Sequence, residues 1–404
     1  MSESDPIIQK YAVEEVGASG HKSRSKYLSR DLSFMTIFTS FNTTQGTMTT
    51  FHEKAGFWSL CVLYAFFAFT NLISAVIVKK LGARLSLFIG AAPYAAFVLT
   101  AAFNSDVALI IVGAFVGIGA AILWSFLSFN AGEDMGFYSG LFFGIFQING
   151  ILGNVLTGAL LNAGISQFYI FSILFVISVL GLILMCYLVD PRPSAALNNQ
   201  EKNTDSMSHM IKETVKVILT DKRMVFFHPI SLYSGFSNSL FLGLLPPRVG
   251  LAYLGWVLAV LGLAEVIGSL VFGKLADIIG TWPVMIVTLV THAITLGLSF
   301  FFDVAEPYLW FVTMFFAGLA DAGLNTSIYA ILGSPNYFKL QPAYAFSGFK
   351  LVQSIAMAAG FLCGIYVPFT YIQYAVCLMW VGAVVFFALS DAIIPSDYNR
   401  TTIN

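Results

Sequence analysis

Apolar runs of roughly 18–25 residues, broken by short polar stretches, recur along the chain from residue 32 to residue 394. At ~1.5 Å rise per residue, such a run is what a helix needs to cross a hydrocarbon layer ~30 Å thick. Twelve can be marked, at 32–51, 57–78, 85–103, 107–130, 137–162, 167–189, 224–245, 250–272, 282–302, 307–333, 344–366 and 369–394. They predict an all-α membrane protein with 12 transmembrane helices. The first run is the most polar, since Thr36, Thr39, Asn42, Thr43, Thr44, Gln45 and Thr47 fall inside it. The longest interruption, 190–222, opens with Pro191-Arg192-Pro193 and has an Asn/Gln/Ser-rich middle. It ends in Met210–Leu219, which reads as a short helix at the membrane surface. The expected order is an N-terminal tail (1–31), a six-helix bundle (32–189), a linker (190–222), a second six-helix bundle (223–394) and a C-terminal tail (395–404).

Composition agrees with lipid as the solvent: 58% of residues are hydrophobic and only 10% charged, against the roughly 25% charged of an ordinary soluble domain. A net charge of −1 gives no basic excess, so nucleic acid is not an expected partner. The placement of charge says more. With Lys339 and Lys350 assigned to the loop between runs ten and eleven, all of the 20 Lys and Arg except Lys54 and Arg248 lie on the side of the amino terminus. The positive-inside rule then makes both tails and the linker cytoplasmic. On that topology the sequon at Asn399 faces the wrong side for glycosylation, and those at Asn42 and Asn325 lie within spans, so all three read as chance. Cys61, Cys186, Cys363 and Cys377 sit in apolar runs without disulfide or metal-ligand spacing. No metal, cofactor or catalytic constellation is indicated, and an enzyme is not expected. The first 31 residues lack the short apolar core of a secretory leader.

The two groups of six echo one another. Val78-Lys-Lys-Leu-Gly82 after run two corresponds to Gly273-Lys-Leu-Ala-Asp-Ile-Ile-Gly280 after run eight, with Gly82 and Gly280 198 positions apart. A similar offset relates Gly119 to Gly318. Two parallel six-helix repeats are the plan of the major facilitator fold, whose substrate site lies between the halves. The Gly273–Gly280 string resembles the loop signature of that superfamily, which makes Gly273, Asp277 and Gly280 gating-loop candidates, with the glycines permitting a tight turn and Asp277 capping it. Gly113, Gly117 and Gly119, like Gly140, Gly144 and Gly150, read as small-residue patterns for close helix approach.

Ionisable residues within spans are the sharpest chemical signal, because a charge near the bilayer centre costs several kcal/mol unless it faces a cavity or a partner. Glu265, Asp321 and Lys350 qualify, and Asn325 shares a helical face with Asp321 four residues away. They form either a functional cluster or an internal ion pair that fixes packing. His292 reads as a packed helix residue, and Glu133-Asp134 as solvated loop charges.

Seven segments carry a more specific resemblance: Phe38–Gln45, Ser59–Leu72, Val78–Gly82, Gly117–Trp124, Tyr138–Gln147, Gly318–Thr326 and Ala345–Ser354. On these the chain resembles the uncoordinated-93-like branch of the major facilitator superfamily, the ion channel regulatory proteins. The resemblance implies a protein that transports a small solute or modulates ion (potassium) flux by alternating access. It equally allows a non-transporting channel subunit or a trafficking chaperone for another membrane protein. The substrate-cavity candidates are Asn42, Gln45, Trp124, Gln147, Glu265, Asp321, Asn325, Lys350 and Gln353. Expected partners are the lipid bilayer, a small solute or ion, and another membrane protein such as a channel or receptor. Glu3-Ser-Asp-Pro-Ile-Ile8 faintly resembles an endolysosomal sorting signal, which leaves the plasma membrane and the endolysosomal membrane as candidate locations.

Overall fold

A computed structural model describes residues 31–103, 105–129, 135–188, 207–303, 306–333 and 342–393. Residues 1–30 and 394–404, linker residues 189–206, Glu133-Asp134 and the surroundings of Gly140 and Gly144 lie outside the described residues, with the expectations placed on them. The described elements are helices α1 (31–51), α2 (Glu53–Asn71), α3 (Ser74–Ala101), α4 (Asp106–Phe129), α5 (Met135–Asn162), α6 (Gln167–Leu188) and α7 (Met207–Thr220). They continue with α8 (Lys222–Ser239), α9 (Leu251–Ile279), α10 (Thr281–Ser299), α11 (Pro307–Gly333), α12 (Pro342–Tyr366) and α13 (Phe369–Ile393). No strand occurs among the described residues. Seven of these helices, α4, α6 and α9 to α13, contain stretches long and apolar enough to cross a membrane.

The polar first run is nevertheless helical, and several of its hydroxyls bond back to the helix itself. Thr36, Thr39 and Thr47 donate to the carbonyls of Leu32, Met35 and Thr43, each four residues back. In α8, Ser231 donates to the Phe227 carbonyl, and Ser237 and Ser239 to carbonyls three residues back. Alpha-helix α8 then runs through a π turn, Leu240–Leu244, and a short 3₁₀ turn, Pro246–Arg248. The side on which α1 begins and α7 lies is called the linker side below, and the opposite side the far side.

The repeat seen in the sequence has a backbone counterpart. Gly82, at φ 73° and ψ 168°, breaks α3, and Gly280, at φ 87° and ψ 162°, separates α9 from α10. Both occupy a region of backbone space open essentially to glycine, so the chain reverses identically at equivalent points. One detail of the loop reading differs. Helix α9 continues through Gly273 and Asp277 to Ile279, so the turn rests on Gly280 alone and Asp277 is an exposed helical residue rather than a cap. The helical backbone keeps its hydrogen bonds this way, and nothing in the segment before Gly280 forces it to end.

Two hydrophobic cores follow. One gathers buried side chains from Phe34 to Met185, the other from Val217 to Phe387, and Met357 and Phe361 of α12 reach across into the first. Outward faces are apolar as well: Ile286 and Val290 on α10 are 58% and 54% exposed, and Leu378 on α13 is 74% exposed. Contiguous exposed apolar faces of this kind are expected where lipid replaces water. His292 is fully enclosed, its ring against Tyr233 and Phe241 and its Nδ1 2.8 Å from the Tyr233 hydroxyl.

The cores meet along close helix pairs near the far side. Helix α5 runs against α9, where Gly158 faces Gly255 and the Trp256 ring, and Gly150 faces Gly262. A side chain at Gly255 would collide with the Gly158 backbone, so these glycines set the approach distance. Helix α2 runs against α12, where Tyr64 stacks on Phe361 at 5.7 Å and Trp58 meets Tyr366 edge-on at 6.3 Å. Thr49 Oγ1, near the end of α1, donates to the Gly243 carbonyl in the π turn at 2.8 Å.

Candidate functional site

Helix midpoints converge between the two cores. Glu265 lies halfway along α9 and Asp321 halfway along α11, and both retain accessible surface deep in the bundle. Close packing of α9 on α11 puts them at one level: Gly318 faces the Leu261 carbonyl, Ala264 and the Glu265 amide, and Gly268 faces Ala322. Bringing two carboxylates together at mid-helix is costly in a low-dielectric setting, and only specific partners offset that cost.

The partners are amides. Asn325 Nδ2 donates to Asp321 Oδ2 at 2.9 Å, and Asn238 of α8 turns toward the same carboxylate. Asp321 Oδ1 is buried and accepts no hydrogen bond among the described residues. Lys350 is near enough to act on Asp321 electrostatically, but no Lys or Arg nitrogen lies within 4.0 Å of Asp321 or Glu265 among the described residues. Instead Lys350 Nζ donates to the Tyr329 hydroxyl at 2.7 Å and to Gln353 Oε1 at 3.0 Å, and sits over the Tyr329 and Phe349 rings at 5.1 and 5.3 Å. Gln353 in turn donates through Nε2 to Ser234 Oγ at 2.9 Å, which ties α12 to α8. The internal ion pair held open by the sequence is therefore not formed in this arrangement.

The amino half presents neutral groups at the same depth. Asn42 Nδ2 donates to Asn149 Oδ1 at 2.8 Å, joining α1 to α5, and Gln45 Nε2 donates to the Tyr64 hydroxyl at 2.9 Å, joining α1 to α2. Trp124 lies within an aromatic block with Phe38 and Phe146, each ring 5.6 Å away, and turns its indole N–H toward the Tyr94 hydroxyl. Gln147 is half-buried on α5 two residues before Asn149.

The structure thus joins Asp321 with Asn325, Lys350 with Gln353, and each of Asn42 and Gln45 with a partner that sequence reasoning omitted. The omitted residues are Asn149, Tyr64, Ser234, Asn238 and Tyr329. For Ser234 and Asn238 a signal existed: the polar string Ser231, Ser234, Ser237, Asn238 and Ser239 in span seven repeats the polar character of span one. Gly273, Asp277 and Gly280 stand apart from this site, at the linker end of α9.

Comparison with known proteins places the chain. The family model described as "Ion channel regulatory protein UNC-93" matches residues 47–389. The UNC93-like protein MFSD11 of Xenopus laevis is 25% identical, over 81% of this chain and 87% of that relative. UNC93-like protein 3 of Arabidopsis thaliana is 24% identical, over 83% of this chain and 79% of its own. The putative potassium channel regulatory protein unc-93 of Caenorhabditis elegans is 20% identical, over 82% of this chain and 55% of its own. Among solved structures, the peptide transporter POT in complex with sulfate superposes with a TM-score of 0.66 at 13% identity, covering 92% of this chain and 95% of its own. The nucleoside transporter NupG gives 0.62 at 16% identity, covering 91% and 99%. At these identities the two transporters establish the fold, which is of the major facilitator type.

Proposed function

The chain belongs to the UNC-93 family of ion channel regulatory proteins, and from that premise we propose that it moves a small solute or ion by alternating access through a cavity between two six-helix halves. Helices α1 to α6 and α8 to α13 are the 12 membrane crossings of this reading, with halves at 32–189 and 223–394 and both tails and the linker cytoplasmic. The crossings outside the seven apolar ones have reasons to be polar. Helices α1 and α8 carry hydroxyls and amides toward the cavity, and α3 is interrupted by the surface turn at Gly82.

One observation carries the proposal: among the described residues no Lys or Arg nitrogen lies within 4.0 Å of Glu265 or Asp321 at mid-depth, while Lys350 is held by Tyr329 and Gln353. A carboxylate pair so placed is completed by a cation or a proton. Loading it changes the charge between the halves, and a ligand that binds one arrangement better shifts the population toward it. The potassium channel regulation in a relative's name favours a monovalent cation. The same family description supports a second reading, in which the protein is a non-transporting channel subunit or trafficking chaperone in the plasma or endolysosomal membrane.

The test is cation uptake by the purified protein in sealed vesicles, driven by a potassium or proton gradient and followed with radioactive rubidium and with a pH dye. Uptake by the parent protein that collapses in Asp321→Asn and Glu265→Gln is the expected result. Absence of any flux, together with stoichiometric co-purification of a channel or receptor in mild detergent, would replace this reading with the second.

A further inference from the structure

We infer that α7 lies on the membrane surface and that its outward face binds the anionic leaflet of the bilayer. The helix is pinned on its inner side. Thr214, Val217 and Ile218 are buried, the Ile218 and Met224 side chains both pack on Gly348 of α12, and the His228 ring nitrogen lies 2.8 Å from the Ile218 carbonyl. Its end is fixed as well. Asp221 alone joins α7 to α8, its carboxylate accepting from the Arg223 amide at 2.8 Å, so α7 stops where α8 begins its run into the bundle.

What this anchoring leaves outside has a defined pattern. Val215 and Leu219, four residues apart and so on one face, are 38% and 68% exposed. Lys212 and Lys216, also four apart, flank that strip, and Lys222 continues the positive edge into α8. Lys216 makes a 3.4 Å pair with Glu213, an exposed contact that competes weakly with other anions. A narrow apolar strip edged by lysines suits the boundary between acyl chains and headgroups, where lysine stems reach outward to phosphate. Each lysine at an anionic surface is worth about fivefold in partitioning. Gly348, under Ile218, is two residues before Lys350, so a helix held by the leaflet also bears on the segment that carries the cavity lysine. This inference is independent of the transport reading.

The test uses the full-length protein in vesicles of phosphatidylcholine with or without phosphatidylserine. A fluorophore is placed at Leu219→Cys or, on the polar edge, at Thr220→Cys, with labelling of the native cysteines subtracted using the parent protein. Brominated acyl chains should quench the label at 219 while aqueous iodide does not, and the label at 220 should behave oppositely. Phosphatidylserine should strengthen the contact, and the K212Q/K216Q variant should lose about fivefold of that preference per lysine. Free access of iodide to position 219 would overturn the inference. So would indifference to headgroup charge, or equal shelter in lipid-free detergent, which would mark a protein as the cover.

Discussion

In the amino half, Asn42 and Gln45 close on neutral partners, Asn149 and Tyr64, beside a block of aromatic rings that includes Phe38, Trp124 and Phe146. In the carboxyl half, at the same depth, two carboxylates have no Lys or Arg nitrogen within 4.0 Å among the described residues, and a lysine is occupied by a phenol and an amide. Neutral pairs are satisfied whether or not anything enters the cavity. Carboxylates are not, since their charge must be solvated, protonated or matched by a cation. On the transport reading proposed above, the difference assigns the response to cargo to the carboxyl half and the shape of the cavity wall to the amino half.

The largest expected effect comes from removing that difference. Combining Glu265→Gln with Asp321→Asn should lower gradient-driven uptake by about 100-fold or more, which corresponds to roughly 3 kcal/mol, while the folded protein persists. In the amino half, Gln45→Leu with Tyr64→Phe should cost less than about tenfold in the same assay. Equal losses on both sides would dissolve the distinction.

A second change acts on both halves together. Gly158→Leu on α5 inserts a side chain where Gly255 and Trp256 already sit, and overpacking of this kind costs about 1–3 kcal/mol. A lowered melting temperature in detergent is the readout, and an unchanged one would mean that the glycine contact is slack. Gln353→Leu should follow at about 1–3 kcal/mol, because Lys350 loses a charged hydrogen bond and Ser234 loses its donor. The double variant Asn42→Leu/Asn149→Leu should stay within about 1 kcal/mol of the parent, since exchanging both members of a neutral pair for apolar groups leaves neither unsatisfied. Chemical denaturation in detergent compares the two.

The smallest effect lies at the far side, outside both polar groups. His52, in the turn between α1 and α2, has its pKa pushed below the ordinary 6.5 by burial, against the opposing pull of the Ala101 carbonyl and of Asp106. A depressed histidine contributes stability that is present above its unfolded value and lost as pH falls through the folded one. The melting temperature should therefore drop modestly below about pH 6, and His52→Gln should flatten that drop.

Much of the architecture was legible because lipid imposes one periodicity on every span. The Gly82 and Gly280 turns, the apolar runs that the structure shows as helices, seven of them long and apolar enough to cross a membrane, and the ionisable residues at 265, 321 and 350 could be read from position alone. Pairings could not. That Lys350 takes Tyr329 and Gln353 rather than a carboxylate depends on how α12 is rotated against α8 and α11, and no spacing within one helix encodes that rotation. The extent of α9 past Gly273 and Asp277 was missed for a related reason, since glycine ends a helix only where the backbone turns, and here that happens at Gly280.

On the transport reading, neutralising Glu265 and Asp321 changes how the halves sit against each other. Spin labels at Lys54→Cys on α2 and Leu251→Cys on α9, both exposed at the far side, report that separation by pulsed electron resonance in lipid. Adding Glu265→Gln and Asp321→Asn, or lowering pH on the parent carboxylates, should shift the distance distribution to a second, longer population. A distribution that stays in place under both treatments would contradict it.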